Sequence, residues 1–195
     1  MSPFFKRHSN NTPWMTLALI CTISRIFIAP FLAWTILEQR WIWAGGLFFY
    51  GAFSDFLDGF LARRLREETL LGALLDPLAD KILLLSCFVA FMQTDSAPLV
   101  LPQWFVWLVL CREIAMILGA AFILLVRGYA VPKPTIWGKL TTLLSMLFIV
   151  GLLICSQFQC LHHGLLFFLL VVVVFFYLFS FAHYVVIGLR LVRWR

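Results

Sequence analysis

Six apolar stretches dominate this chain, and each is long enough to cross the hydrocarbon core of a bilayer, which takes about 20 residues of helix. They lie at Trp14–Leu37, Ile42–Leu61, Leu70–Met92, Leu101–Val126, Ile136–Cys155 and Gly164–Leu189. With 63% hydrophobic and 12% charged residues, the chain is too apolar for an ordinary soluble domain. The sequence therefore predicts an all-α polytopic membrane protein with six transmembrane helices, organised as a single domain over residues 1–195.

Lysine and arginine are concentrated on one side of the predicted helices. That side comprises both termini and the loops after the second and fourth helices, and its basic residues are Lys6, Arg7, Arg63, Arg64, Arg66, Arg127, Lys133, Lys139, Arg190, Arg193 and Arg195. The opposite loops carry only Arg40. Because cytoplasmic loops are enriched in lysine and arginine, we expect both termini in the cytoplasm. A bacterial inner membrane is the natural setting, and a mitochondrial membrane is the alternative. Residues 1–13 are polar and basic, which predicts an N-terminal surface-lying arm.

Charge and cysteine content narrow the expected partners. The net charge of +6 favours contact with anionic membrane lipids, and no nucleic-acid partner is expected because no basic soluble module is present. No pair of cysteines has the CxxC spacing of a zinc site. Cys155 and Cys160 flank a predicted external loop, where a disulfide between them and two free thiols are both open.

Four carboxylates interrupt the apolar background: Asp55 and Asp58 in the second predicted helix, and Asp76 and Asp80 in the third. Spacings of three and four residues place each pair on one face of its helix, and the short connection Arg63–Thr69 brings the two helix ends side by side. Converging carboxylates repel one another unless a cation neutralises them. Hard oxygen ligands suit Mg²⁺ or Mn²⁺, and two such ions can bind a bridging phosphate. The pattern predicts a two-metal site at the cytoplasmic surface.

Small residues and an arginine accompany the aspartates. Gly59 and Gly72 have no side chain and Ala62 has a small one, which allows a ligand or a neighbouring helix to approach the backbone. Arg63 can bind two phosphate oxygens at once. A transporter with an acidic ion site, or simple pairing of single acids with arginines, is the alternative from another class.

The whole run, D-x-x-D-G-x-x-A-R followed after eight residues by G-x-x-x-D-x-x-x-D, resembles the signature of the CDP-alcohol phosphotransferases, which are membrane enzymes of phospholipid synthesis. The resemblance extends from about Thr22 to Met146. Within it, Arg25–Pro30 looks like the family's first-helix R-I-x-x-x-P. Leu75–Lys81 looks like the L-D-P-x-A-D-K stretch of the phosphatidylglycerophosphate and cardiolipin synthase branch, and Arg112-Glu113 and Gly138-Lys139 also resemble positions of that branch.

This resemblance implies six transmembrane helices, a homodimer, a site open to the cytoplasmic leaflet, and transfer of a phosphatidyl group from CDP-diacylglycerol with release of CMP. It implies that Asp55, Asp58 and Asp76 bind the metal pair, and that Asp80 assists them and acts as the general base. The residues expected to line the CDP pocket are Thr22, Asp58, Gly59, Ala62, Arg63 and Gly72.

Three basic residues are candidates for binding the acceptor: Lys81, Arg112 and Lys139. Arg112 lies inside the fourth predicted helix, and Glu113 is not expected to pair with it because adjacent residues on a helix do not face each other. A phosphate or one of the aspartates is the expected partner of Arg112. For Lys81, a second pocket and pairing with a neighbour both stay open, and for Lys139 the alternative is a snorkelling position at the membrane edge.

These basic groups favour an acceptor that carries its own phosphate, and we expect glycerol 3-phosphate. Phosphatidylglycerophosphate synthases often carry a second arginine two turns beyond the one that resembles Arg112, where this chain has Ala120. The first helix has Ala18 and Leu19 in place of the usual proline and asparagine. The sequence therefore leaves phosphatidylglycerol, the acceptor of cardiolipin synthesis, as the alternative.

Overall fold

The computed structural model describes the backbone of residues 13–65, 70–94, 96–127, 136–159 and 163–193, and the side chains of residues 23–54, 79–94, 96–119, 136–159 and 163–186. Within this part of the chain, every element of secondary structure is a helix. The six helices are α1 (Pro13–Leu37), α2 (Trp41–Leu65), α3 (Leu70–Gln93), α4 (Gln103–Arg127), α5 (Ile136–Phe158) and α6 (His163–Arg193). They correspond one to one to the predicted helices, so the all-α class is confirmed. The predicted arm lies, except for Pro13, outside the described residues.

Apolar surface faces outward along most of these helices. Phe27, Phe49 and Phe158 are 74%, 69% and 70% exposed, respectively. Helices in lipid keep their backbone hydrogen bonds internal and present apolar side chains to the hydrocarbon. When only the described side chains are considered, two helices are long and apolar enough to cross a membrane, over Ile136–Phe158 and His163–Val186.

The core of the bundle is built around the ring of Phe105. Helix α1 packs against α2 and α3, α5 packs against α6, and α4 contacts both α3 and α6. Phe105 of α4 makes edge-to-face contacts with Phe88, Phe148 and Tyr177, with ring centroids 5.1, 6.3 and 6.3 Å apart. Edge-to-face pairs are a favoured arrangement of aromatic rings. The cluster joins four helices and places Tyr177 of α6 in the interior.

The turn between α1 and α2 closes helix α1 with a left-handed residue. The amide of Arg40 donates to the carbonyl of Thr35, and the amide of Gln39 donates to the carbonyl of Ile36. These two bonds form a Schellman motif, whose C′ position takes a left-handed backbone and is usually glycine. Gln39 occupies it with φ 58°. A non-glycine residue is strained there, at a cost of roughly 1 kcal/mol.

Replacing Gln39 with glycine is expected to stabilise the protein by about 0.5–1 kcal/mol, because glycine adopts a positive φ without a steric penalty. Gln159, with φ 50° directly after α5, should respond in the same direction. The measurement is unfolding of the detergent-solubilised protein by SDS titration. Gln157 is the matched control, since its backbone is helical and glycine there should be neutral or destabilising. Equal responses at all three glutamines would contradict the account.

Candidate active site

Helices α2 and α3 run antiparallel and approach each other closely one turn before the first aspartate. A methyl group added at Gly51 of α2 would lie 2.9 Å from Cδ1 of Leu83 in α3. That distance is shorter than any ordinary carbon–carbon contact, so a side chain at residue 51 would displace the side chain of Leu83. The contact places Gly51 and Leu83 at about the same level of the helix pair.

This register sets the levels of the four aspartates along the two helices. Because both helices rise equally per residue, moving seven residues from each side of the contact between Gly51 and Leu83 reaches Asp58 on α2 and Asp76 on α3. In the same way Asp55 is level with Ala79, next to Asp80. The count places the four aspartates within about one helical turn of one another along the pair, and the chemistry of this donor set fits a hard divalent cation.

Most of the predicted site residues have side chains outside the described set, and these are Thr22, Asp55, Asp58, Gly59, Ala62, Arg63, Gly72 and Asp76. Their backbone belongs to helices α1, α2 and α3. Among the side chains that are described, which include only Asp80 of the four aspartates, no three potential metal ligands come together. The roles of these residues in metal and CDP binding stay predictions.

Asp80 is held by an arginine from another helix. Arg25 of α1 donates from Nη1 to Oδ1 of Asp80, and the two form an ion pair. The Arg25 side chain is 0% exposed and that of Asp80 is 21% exposed. A buried charge without a partner is very costly in an apolar interior, so each residue compensates the other. The pair orients the carboxylate that the sequence assigns as the general base.

A second set of charged side chains begins at Lys81, the residue after Asp80 in α3, and includes two residues of α4. Lys81 Nζ lies 2.5 Å from Oε2 of Glu113, and Oε1 of the same carboxylate accepts a hydrogen bond from Nη1 of Arg112. Of the two alternatives for Lys81, pairing with a neighbour is the one observed.

The expectation that Glu113 would not pair with Arg112 is wrong. The rule for adjacent helical residues describes where the Cβ atoms point, whereas the long arginine stem lets the guanidinium turn back toward its neighbour. The same carboxylate also contacts Lys81 of α3, so it lies between the two cations. One carboxylate therefore bridges two cations from different helices.

The other side of Arg112 is fixed by helix α6. Arg112 Nη2 donates to Oγ of Ser180 at 3.0 Å, and its Cζ lies 5.2 Å from the centre of the Tyr177 ring. The side chain is only 6% exposed. Its Nε–H is buried and has no hydrogen-bond partner within the described part of the chain. A buried donor left unsatisfied costs about 1–3 kcal/mol, and an anionic ligand would satisfy it.

Lys139 is not brought to this group. It lies in the first turn of α5 with an exposed side chain, and no ion pair joins it to another described residue. Thr141, two residues further on, faces α6, where its hydroxyl lies 3.3 Å from the carbonyl oxygen of Phe176. The snorkelling position and the acceptor role of Lys139 therefore both stay open.

Sequence reasoning gave no site role to four contributors to these contacts: Arg25, Glu113, Tyr177 and Ser180. The signal for Arg25 was a lone cation inside an apolar span, which needs a partner in the bundle. Tyr177 and Ser180 are three residues apart on α6 and so share a face. Polar residues at helical spacing in an otherwise apolar helix are a detectable pattern, although it does not identify the partner.

The chain is similar to one protein family over most of its length and to several known enzymes. The profile of the family described as CDP-alcohol phosphatidyltransferase matches residues 15–178. A CDP-diacylglycerol--glycerol-3-phosphate 3-phosphatidyltransferase of Aquifex aeolicus is 32% identical over 148 residues, covering 74% of this chain and 79% of the relative. A cardiolipin synthase (CMP-forming) of Streptomyces coelicolor is 33% identical over 73% of this chain and 66% of its own length. The corresponding Rattus norvegicus enzyme is 29% identical over 77% of this chain, and the match spans about half of its length (54%).

Proposed function

The chain belongs to the CDP-alcohol phosphatidyltransferase family, and we propose that it transfers a phosphatidyl group from CDP-diacylglycerol to the hydroxyl of glycerol 3-phosphate with release of CMP. The observation that carries this proposal is the complete D-x-x-D-G-x-x-A-R and G-x-x-x-D-x-x-x-D motif inside the matched region. The register of α2 and α3, which makes Asp58 level with Asp76 and Asp55 level with the neighbour of Asp80, supports the same reaction.

The proposal includes a membrane setting. All six helices span a bilayer, both termini and the aspartates face the cytoplasm, and the protein works as a homodimer in a bacterial inner membrane. The outward-facing apolar side chains of helices α1 to α6 support the spans, and the lysine and arginine distribution supports the orientation. The homodimer rests on the family resemblance.

Metal and nucleotide are assigned to the helix ends of α2 and α3. Asp55, Asp58 and Asp76, with help from Asp80, would hold two Mg²⁺ or Mn²⁺ ions. When bound, these ions neutralise the charge of the pyrophosphate and of the transition state. The residues assigned to the CDP group are Thr22, Asp58, Gly59, Ala62, Arg63 and Gly72.

Asp80 carries the proton transfer in this reaction. Its carboxylate takes the proton of the acceptor hydroxyl as the oxygen attacks the phosphorus esterified to diacylglycerol. A new phosphodiester P–O bond forms, the P–O bond to the cytidylate breaks, and CMP leaves with the bonding electron pair. Arg25 keeps the Asp80 carboxylate in one orientation during this step. The apolar bundle around it limits competition by water.

The acceptor's phosphate is assigned to the cations beyond Asp80. Lys81 follows Asp80 directly and is linked through Glu113 to Arg112, so a phosphate bound here lies beside the general base. The buried Nε–H of Arg112 supplies a donor for it, and Lys139 is the third candidate. Together, Lys81 and Arg112 exceed Glu113 by one positive charge, which favours an anionic acceptor over serine or choline.

Phosphatidylglycerol is the second candidate acceptor, and the reaction would then form cardiolipin. The cardiolipin synthases among the relatives favour it, as does Ala120 at the position of a second arginine. The similarity to the Aquifex aeolicus enzyme, which extends over more of the relative's length, favours glycerol 3-phosphate.

The test is CMP release by the detergent-purified protein supplied with CDP-diacylglycerol and Mg²⁺, with glycerol 3-phosphate and phosphatidylglycerol offered separately. We expect release with glycerol 3-phosphate and its loss when EDTA removes the metal. Release with phosphatidylglycerol alone would overturn the choice of acceptor. Release with neither would contradict the enzymatic proposal and favour a transporter.

A further inference from the structure

A line of polar side chains crosses the apolar interior where α4, α5 and α6 meet. The Ser145 hydroxyl lies 2.8 Å from the carbonyl oxygen of Thr141 and 3.1 Å from the Tyr177 hydroxyl. A serine has one hydroxyl proton, so both contacts are satisfied when Ser145 donates to Thr141 and Tyr177 donates to Ser145. The line then continues from the Tyr177 ring to the guanidinium of Arg112.

Tyr177 is fixed on each of its sides. Its hydroxyl is bound to Ser145 of α5, and its ring packs against the Phe105 ring at an interplanar angle of 79°. The residue is 3% exposed. Because both the hydroxyl and the ring have partners, the orientation of the face that Tyr177 presents to Arg112 is restricted.

We propose that Tyr177 is a positioning residue, which holds Arg112 in the orientation that binds the phosphate of the acceptor, with Ser145 holding the tyrosine in turn. This inference rests on the proposed function and adds to it the residues that orient the acceptor's ligand. The ion pair with Glu113 fixes one end of the guanidinium, where Nη1 donates to Oε1 of the carboxylate. The Tyr177 ring and Ser180 Oγ fix its plane and leave the Nε–H to the acceptor.

The test compares three substitutions that separate the role of the Tyr177 ring from that of its hydroxyl. Tyr177→Leu removes the cation–π contact, and we expect the KM for the acceptor to rise roughly 3- to 30-fold. Tyr177→Phe and Ser145→Ala keep the ring and remove only its link to α5, so a smaller rise of about 2- to 5-fold is expected. The KM for CDP-diacylglycerol and the kcat at saturating acceptor should stay within about twofold, because neither depends on Arg112.

A double-variant cycle tests whether Tyr177 acts through Arg112. Arg112→Gln removes the cation that the ring orients. If Tyr177 acts only through that cation, then adding Tyr177→Leu to Arg112→Gln raises the acceptor KM no further. Tyr184 is the matched control, because it lies on the same helix and its hydroxyl contacts the Met116 carbonyl oxygen at 3.4 Å. Tyr184→Phe should leave the acceptor KM unchanged.

Three outcomes would overturn the positioning role. They are an unchanged acceptor KM in Tyr177→Leu, equal changes for both substrates, and multiplicative effects in the cycle. The kinetics are measured with whichever acceptor the wild-type protein uses, so a change of acceptor does not affect the test. A wild-type protein that releases no CMP refutes the proposed function, and this inference with it. If the wild type releases CMP but the Tyr177 variants show no change that is limited to the acceptor KM, this inference is refuted and the proposed function stands.

Discussion

Replacing Asp80 with asparagine should lower the rate of CMP release by about 10²- to 10⁴-fold, which is the range that a positioned general base contributes. The substitution keeps the shape of the side chain, and its amide oxygen can still accept a hydrogen bond from Arg25. It removes the proton acceptor. Metal binding should be partly retained, because the other three aspartates remain on α2 and α3.

The measurement is the single-turnover rate at saturating substrates, with Mn²⁺ binding followed in parallel. Ser86→Ala is a control on the same helix, since the Ser86 hydroxyl bonds to the carbonyl oxygen of Ile82 within α3, and it should behave like the wild type. CMP release within about tenfold of wild type by Asp80→Asn would contradict the general-base role.

Replacing Arg25 with glutamine should destabilise the protein by about 3 kcal/mol. Removing one partner of a buried ion pair leaves the other charge uncompensated, which typically costs about 3–5 kcal/mol. The lower end applies because the Asp80 side chain is 21% exposed. Arg25→Lys keeps the positive charge and should cost less. SDS titration of the purified variants measures the effect.

Arg40 provides a matched control for this prediction. It is an exposed arginine in the turn after α1, and its guanidinium lies 5.9 Å from the centre of the Trp34 ring. Arg40→Gln should change the free energy of unfolding by less than about 0.5 kcal/mol. Equal effects at Arg25 and Arg40 would contradict the buried pair.

The substitutions Arg25→Gln and Asp80→Asn, taken together, also separate stability from catalysis. The double variant Arg25→Gln/Asp80→Asn removes both charges, so it should be more stable than Arg25→Gln alone. It should nevertheless stay inactive, because it has no proton acceptor. Recovery of CMP release in the double variant would mean that Asp80 matters only as the partner of Arg25.

The helices were predictable because their signal is local. Each apolar stretch is long enough to require a helix in lipid, and the described helices begin and end within a few residues of the prediction. The short connection Arg63–Thr69 predicts that the ends of α2 and α3 lie side by side, and the convergence of the four carboxylates there stays a prediction.

The partners of the buried charges were not predictable, because they depend on packing between distant segments. Arg25 and Asp80 are 55 residues apart, and Arg112 and Ser180 are 68 residues apart. A lone arginine in an apolar helix indicates that a partner exists without identifying it. For Arg112 the local rule gave the wrong answer, because it does not include contacts with other helices, such as that between Glu113 and Lys81 of α3.

The most direct test of the central claim follows the phosphate that is esterified to diacylglycerol. CDP-diacylglycerol labelled with ³²P at that position is incubated with the purified protein, Mg²⁺ and glycerol 3-phosphate. Phosphatidyl transfer to glycerol 3-phosphate predicts that the label is recovered in a lipid that carries a second, unlabelled phosphate, together with one unlabelled CMP for each lipid formed. Label released into the aqueous phase, or a labelled lipid that lacks the acceptor's phosphate, would contradict phosphatidyl transfer to glycerol 3-phosphate.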